Sequence, residues 1–187
     1  DTGTSSETGT LEKDVTLSVA RRLRDAIQHQ LGLRVVLTRT RDDLVPIDAR
    51  AEVANNNKAD IFISLHVNAS IRPAVSGAEV FYLSMDEYDE EARALEERDV
   101  QLVPVIGGGT REIDLVEWEM AQVTYLGRSA RLADIAHEEL SRRVPMSSRD
   151  VQQAPLRVLV GANMPALLIE MGFVSNETDE ERLQTTR

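Results

Sequence analysis

Ile61-Phe62-Ile63-Ser64-Leu65-His66-Val67-Asn68-Ala69-Ser70 opens as an apolar run of strand length, delivers a histidine, and breaks into small and polar residues. A run without alternation reads as a strand buried on both faces, because neither face can be left in water. Such strands belong to α/β sheets, where chemistry collects at the strand ends. A second segment, Ala166-Leu167-Leu168-Ile169-Glu170-Met171-Gly172-Phe173, repeats the design and delivers a carboxylate. An imidazole and a carboxylate at two strand ends are what a hydrolytic metal site needs.

Around these two segments the chain alternates between helix and strand patterns. Val15, Val19, Leu23, Ile27 and Leu31 recur at helical spacing, with Thr10 placed to cap the helix and Gly32 to stop it. A strand is expected over 33–38, a short helix over 47–56, and strands over 61–65 and 79–83. A long helical stretch is expected over 113–140, broken near Gly127. Strands should follow at 156–160 and 166–170, then a last helix capped by Asn176 or Thr178. The pattern predicts one α/β domain over 1–187, a twisted, mostly parallel sheet with helices on both faces.

Bulk properties narrow the function. The 187 residues are 42% hydrophobic and carry a net charge of −11, which suits one domain with a real core and argues against nucleic acid as a partner. No apolar stretch approaches the ~20 residues of a membrane span, and the polar start shows no signal peptide. There is no cysteine and there are three histidines, His29, His66 and His137. Thiolate chemistry and disulfides are excluded, and any metal must be held by histidine and carboxylates. His29 and His137 fall within helical patterns and read as surface residues. Ser129 reads as packing or capping, and no Ser-His-Asp arrangement stands out.

Several segments, in order, resemble the zinc-dependent N-acetylmuramoyl-L-alanine amidases. They are Glu12-Lys13-Asp14-Val15, Thr38-Arg39-Thr40-Arg41-Asp42, Arg50 through Asn55, Ala59 through Ala69, Ser129 through Ala133, and Pro165 through Asn176. The resemblance implies that Glu12 and His66 are zinc ligands and that Glu170 is the catalytic acid/base. It implies hydrolysis of the amide between N-acetylmuramic acid and L-alanine of peptidoglycan, in the periplasm or outside the cell. Asn68 and Arg39 become candidates for substrate contact, although for Arg39 and Arg50 structural ion pairs are the stronger expectation. The family's other zinc histidine sits in a Gly-His-Gly turn that would precede Asp1, and members continue through a helix beyond Arg187. The sequence is therefore expected to be trimmed at both ends.

Residues 86–101 change character: eight acids face only Arg93 and Arg98, a net −6 of the chain's −11. The segment 85–122 resembles the helical insertion of amidases that split daughter cells at division. The resemblance implies autoinhibition, with Glu96 or Glu97 offered to the open zinc position and an activator protein displacing the helix. Two other readings compete: a module that keeps the fold and binds or regulates the wall without catalysis, and a zinc peptidase or deacylase acting elsewhere.

Overall fold

The computed structural model describes residues 2–84, 101–104, 110–113 and 124–185. In chain order these form helices α1 (Glu12–Leu31) and α2 (Ile47–Asn56) and strands β1 (Phe62–Asn68), β2 (Glu79–Leu83), β3 (Gln101–Pro104) and β4 (Thr110–Ile113). Helix α3 (Leu126–Ser141), strand β5 (Gln152–Ala154), the short turn of helix α4 (Arg157–Val160), strand β6 (Ala166–Phe173) and helix α5 (Glu177–Thr185) follow.

The two segments that decide the fold pair with each other. β1 and β6 run parallel, with Phe62 opposite Ala166 and His66 opposite Glu170. The main sheet has the order β1-β6-β2-β5. β2 is antiparallel to β6 and parallel to β5, so the sheet is mixed, with two parallel pairings and one antiparallel. β3 and β4 form a separate antiparallel pair.

Alternation along β6 sends side chains to opposite faces. Ala166 and Leu168 join Phe62, Leu83 and Leu159 in a core under α2 and α4. Leu167 joins Val80 and Ala133 in a second core under α3, with Ile63 and Ile169 packed against it. Helices therefore cover both faces. Val15 of α1, Val67, Val174 and Leu183 form a third cluster that ties α1 and α5 to the strand ends. Leu83 and Leu159 are fully buried, and each such side chain contributes roughly 1.5–3 kcal/mol through removal from water.

The structure corrects the sequence reading at several points. Residues 33–38 are not in a strand; Leu33 and Val36 are exposed, and a strand needs a ladder neighbour as well as a pattern. The lower part of the α1 stripe, Leu23 and Leu31, is exposed too. Residues 157–160 form a helical turn, not a strand; Val158, Leu159 and Val160 are consecutive and all buried, which a short apolar run allows in either state. Residues 110–113 are strand, 114–123 lie outside the described residues, and the described helix over the later part of this stretch starts at Leu126, with Gly127 inside its first turn.

Thr10 does not cap α1. The N-cap is Leu11, with no side-chain cap bond, and the Thr10 hydroxyl donates instead to Glu180 Oε1 at 2.7 Å. Ser6 and Thr8 donate to the same oxygen, and Gln184 Nε2 does so at 3.3 Å. Burial pushes the Glu180 carboxyl up, but these donors outweigh it and hold it below the usual carboxylate range. They also fasten the N-terminal loop to α5. Gly32 ends α1 in the left-handed conformation, φ 65°, and Asn176 Oδ1 caps α5 by accepting the Asp179 N–H at 3.1 Å.

Candidate active site

Glu12 stands in the first turn of α1, where the helix dipole favours a carboxylate. Its Oε2 accepts the Thr4 N–H at 2.8 Å and its Oε1 accepts the Val67 N–H at 3.4 Å. The N-terminal loop closes over this carboxylate through Gly3. That residue has φ 64°, and a Cβ there would lie 2.3 Å from Glu12 Oε2, so only glycine fits. Burial pushes the Glu12 carboxyl up; the contacts to His66, Thr4 and Val67 win and leave it below its ordinary value.

His66 reaches Glu12 from the next layer. Its Nδ1 lies 2.9 Å from Glu12 Oε1, and its Nε2 lies 3.0 Å from the Ser64 hydroxyl on the same strand face. A carboxylate is acceptor-only, so Nδ1 is the donor in its contact with Glu12.

Glu170 is the register partner of His66 on one side and of Glu79 on the other. Opposed residues share a face, so the three form a row across β1, β6 and β2. Burial is the main influence on Glu170 and pushes its carboxyl up to about 7; His66 pulls it down, while Glu12 and Glu79 add to the rise. Its Oε2 and both oxygens of Glu79 are buried without a hydrogen bond. Buried polar atoms without partners are costly and rare, and three of them among the described residues of one row that ends in His66 mark a place where chemistry outranks stability. A carboxyl poised near neutrality can take and give a proton there.

Of the residues singled out from the sequence, Glu12, His66 and Glu170 are therefore brought together. Asn68 is two residues beyond His66; its side-chain oxygen accepts the Ala69 N–H at 2.8 Å. Arg39 is engaged elsewhere: its guanidinium donates to the carbonyls of Lys13 and Arg41 at 2.6 and 3.2 Å and to the Thr16 hydroxyl at 3.1 Å. Ser129 is buried and accepts the Ala166 N–H at 3.0 Å, a packing role. Glu96 and Glu97, and most of the segment 85–122, lie outside the described residues. Sequence reasoning missed Glu79 and Gly3. A lone acid at the head of the apolar run Val80–Leu83 was the available signal for Glu79.

Among the described residues, no group of three or more His, Cys, Asp or Glu is arranged to hold a metal. Glu12 and His66 alone supply one oxygen and one nitrogen donor at a common point, the donor chemistry of hydrolytic zinc. The buried, unpartnered Glu170 Oε2 beside them also fits a nearby cation.

Comparison with known proteins identifies the family. The family model described as "Amidase_3: N-acetylmuramoyl-L-alanine amidase" matches residues 1–187. The N-acetylmuramoyl-L-alanine amidase AmiC of Escherichia coli O6:H1 is 31% identical over 189 residues, covering 99% of this chain and 45% of AmiC. AmiA of Salmonella typhimurium is 31% identical over 191 residues, covering 100% of this chain and 66% of AmiA. The chain thus spans about half to two thirds of the length of these relatives. Among solved structures, the CwlD amidase from Clostridioides difficile, in complex with the GerS lipoprotein, superposes with a TM-score of 0.71 at 24% identity, covering 100% of this chain and 83% of CwlD. That likeness shows the fold. The site geometry and the match along its whole length lead to one conclusion: the chain belongs to the Amidase_3 family of N-acetylmuramoyl-L-alanine amidases.

Proposed function

We propose that this chain is the catalytic domain of a zinc amidase that cleaves the amide between the lactyl group of N-acetylmuramic acid and L-alanine in peptidoglycan. The observation that carries the reading is the convergence of Glu12 and His66 at 2.9 Å beside Glu170, whose carboxyl is raised to about 7. Glu12 and His66 would hold the metal, with a third donor from outside the described residues. The chemistry zinc supplies when bound is polarisation of the scissile carbonyl and acidification of water. The protein's own groups do the rest. Ser64 and Glu12 orient the His66 ring, and Gly3 and Thr4 fix the Glu12 carboxylate. Glu170 accepts the proton of the attacking water and returns it to the departing alanine nitrogen. A wall-binding module without catalysis would leave the buried, proton-ready Glu170 without a purpose.

The polymer lies outside the cytoplasmic membrane, which places the enzyme in the periplasm or beyond. No described helix is long and apolar enough to cross a membrane. The acid-rich segment 86–101 supports regulation: a Glu-bearing helix, with Glu96 or Glu97 as candidates, covers the metal until an activator protein displaces it. Mass spectrometry of a muropeptide digest by the full-length protein tests both parts. The expected products are a free lactyl carboxylate and a peptide with N-terminal alanine, released faster after deletion of residues 86–110. Binding of the polymer without release of that peptide would favour the non-catalytic module. Equal basal rates with and without the segment would remove the autoinhibition.

A further inference from the structure

A groove of about 380 Å³ continues from the site along the strand ends. Asn68 and Phe173, just beyond His66 and Glu170, line it, with Glu79, Arg72 and Arg149. In a chain of net charge −11, two guanidinium residues beside one groove stand against the overall charge. Arg149 is held there by its neighbours. Its segment is locked to the start of β2: Ala78 N–H donates to the Pro145 carbonyl at 2.9 Å, and Ser147 N–H to the Ala78 carbonyl at 3.0 Å. Gly77 permits this approach, since a Cβ there would lie 2.4 Å from the Met146 carbonyl carbon, at φ 93°. Arg149 Nη1 then comes to 3.7 Å from Glu79 Oε1, an ion-pair distance too long for a good hydrogen bond.

The two ends of this pair differ sharply. The Glu79 side chain is 2% exposed and that of Arg149 is 63% exposed. Glu79 is therefore the buried end of this contact, and the guanidinium reaches out from it to the groove. Among the described residues that guanidinium makes no hydrogen bond, so its planar fork of N–H donors is available to a ligand. The fork matches a carboxylate. A groove of this size admits a small ligand, and Glu79, the register partner of Glu170, connects it to the site.

We propose that this groove is a subsite for the peptide side of the substrate, with Arg149 binding a peptide carboxylate and Arg72 adding a second positive charge at the rim. The inference rests on the amidase reading. It adds a selectivity: a peptide with a free carboxylate near the scissile amide binds better than the same peptide with a carboxamide.

The test uses the full-length protein and two N-acetylmuramoyl peptides that differ only in that carboxylate or carboxamide. Wild type should favour the carboxylate about tenfold, mainly through KM, as expected for a charge-assisted hydrogen bond. Arg149→Ala should collapse the ratio towards one, Arg149→Lys should restore part of it, and Arg72→Ala should lower it less. Equal KM values for the two peptides in wild type, or a ratio that survives in Arg149→Ala, would overturn the subsite. If neither peptide is cleaved, calorimetric binding of the same pair still decides. A carboxylate preference lost in Arg149→Ala upholds the groove while the hydrolase reading fails; no preference, or no binding, sinks the groove.

Discussion

Glu170→Gln should reduce turnover by about 10²–10⁴-fold, the usual contribution of a positioned general acid/base, while leaving bound zinc in place. Glutamine keeps the shape and polarity of the side chain and cannot carry the proton. The same variant should be more stable than wild type in the metal-free state, and the pH dependence of that gain follows from the sign of the shift. Folding raises the Glu170 carboxyl from an ordinary 4.5 to about 7, so the folded state holds this proton more tightly than the unfolded chain. Stability is therefore lost as pH rises from 4.5 through 7, and the loss is complete above 7. The shift corresponds to at most about 3 kcal/mol. Burial is the main cause, and the negative charges of Glu12 and Glu79 add to it against the opposing effect of His66. Thermal unfolding in the presence of a chelator should show the glutamine variant melting higher at pH 8 and close to wild type at pH 5. Near-normal turnover would remove Glu170 from the reaction, and a stability difference independent of pH would remove the buried-carboxyl explanation.

His66→Ala and Glu12→Gln should each weaken zinc binding by more than about 100-fold, because losing even an outer partner of a metal ligand costs 10–100-fold. The two variants differ in what they leave behind. His66→Ala removes the nitrogen donor and leaves the Glu12 carboxylate with the Thr4 and Val67 N–H groups. Glu12→Gln leaves the His66 ring but withdraws the anionic oxygen that lies 2.9 Å from its Nδ1. It also presents an amide, whose NH₂ end repels N–H donors, where the loop around Gly3 closes on a carboxylate. Glu12→Gln should therefore loosen the N-terminal loop as well, read as faster amide exchange at Thr4, while His66→Ala should not. Competition with a chromogenic chelator measures the affinities. Zinc bound equally well by both variants and wild type would place the metal elsewhere.

Much of the site was legible because β1 and β6 are unambiguous. Their apolar runs are long enough to require burial on both faces, and each delivers one chemical group at a definite position. The register that sets His66 against Glu170 could not be read from either strand alone, since it arises only when they pair. Shorter segments were misread for physical reasons. Four residues at 157–160, three of them consecutive and apolar, satisfy a helical turn as well as a strand once surrounded by core. Gln152–Ala154 is too short and polar to announce itself as a strand. Thr10 had the chemistry of a cap, but a buried carboxylate 170 residues away claimed its hydroxyl. Glu79 was passed over because alternation normally sends a strand's polar residue to water; here the neighbouring strand is β6, and the side chain lies buried beside Glu170.

Glu12, His66 and Glu170 are expected to serve one metal-centred hydrolysis. Zinc titrated into chelator-stripped full-length protein, with release of N-terminal alanine from a muropeptide as the readout, tests it most directly. The expected result is turnover that returns with zinc and saturates near about one equivalent per chain, as for a single catalytic site. The same titration should leave Glu170→Gln loaded but silent. Alanine released at the full rate by the metal-free protein would show that these three residues do not act through a metal.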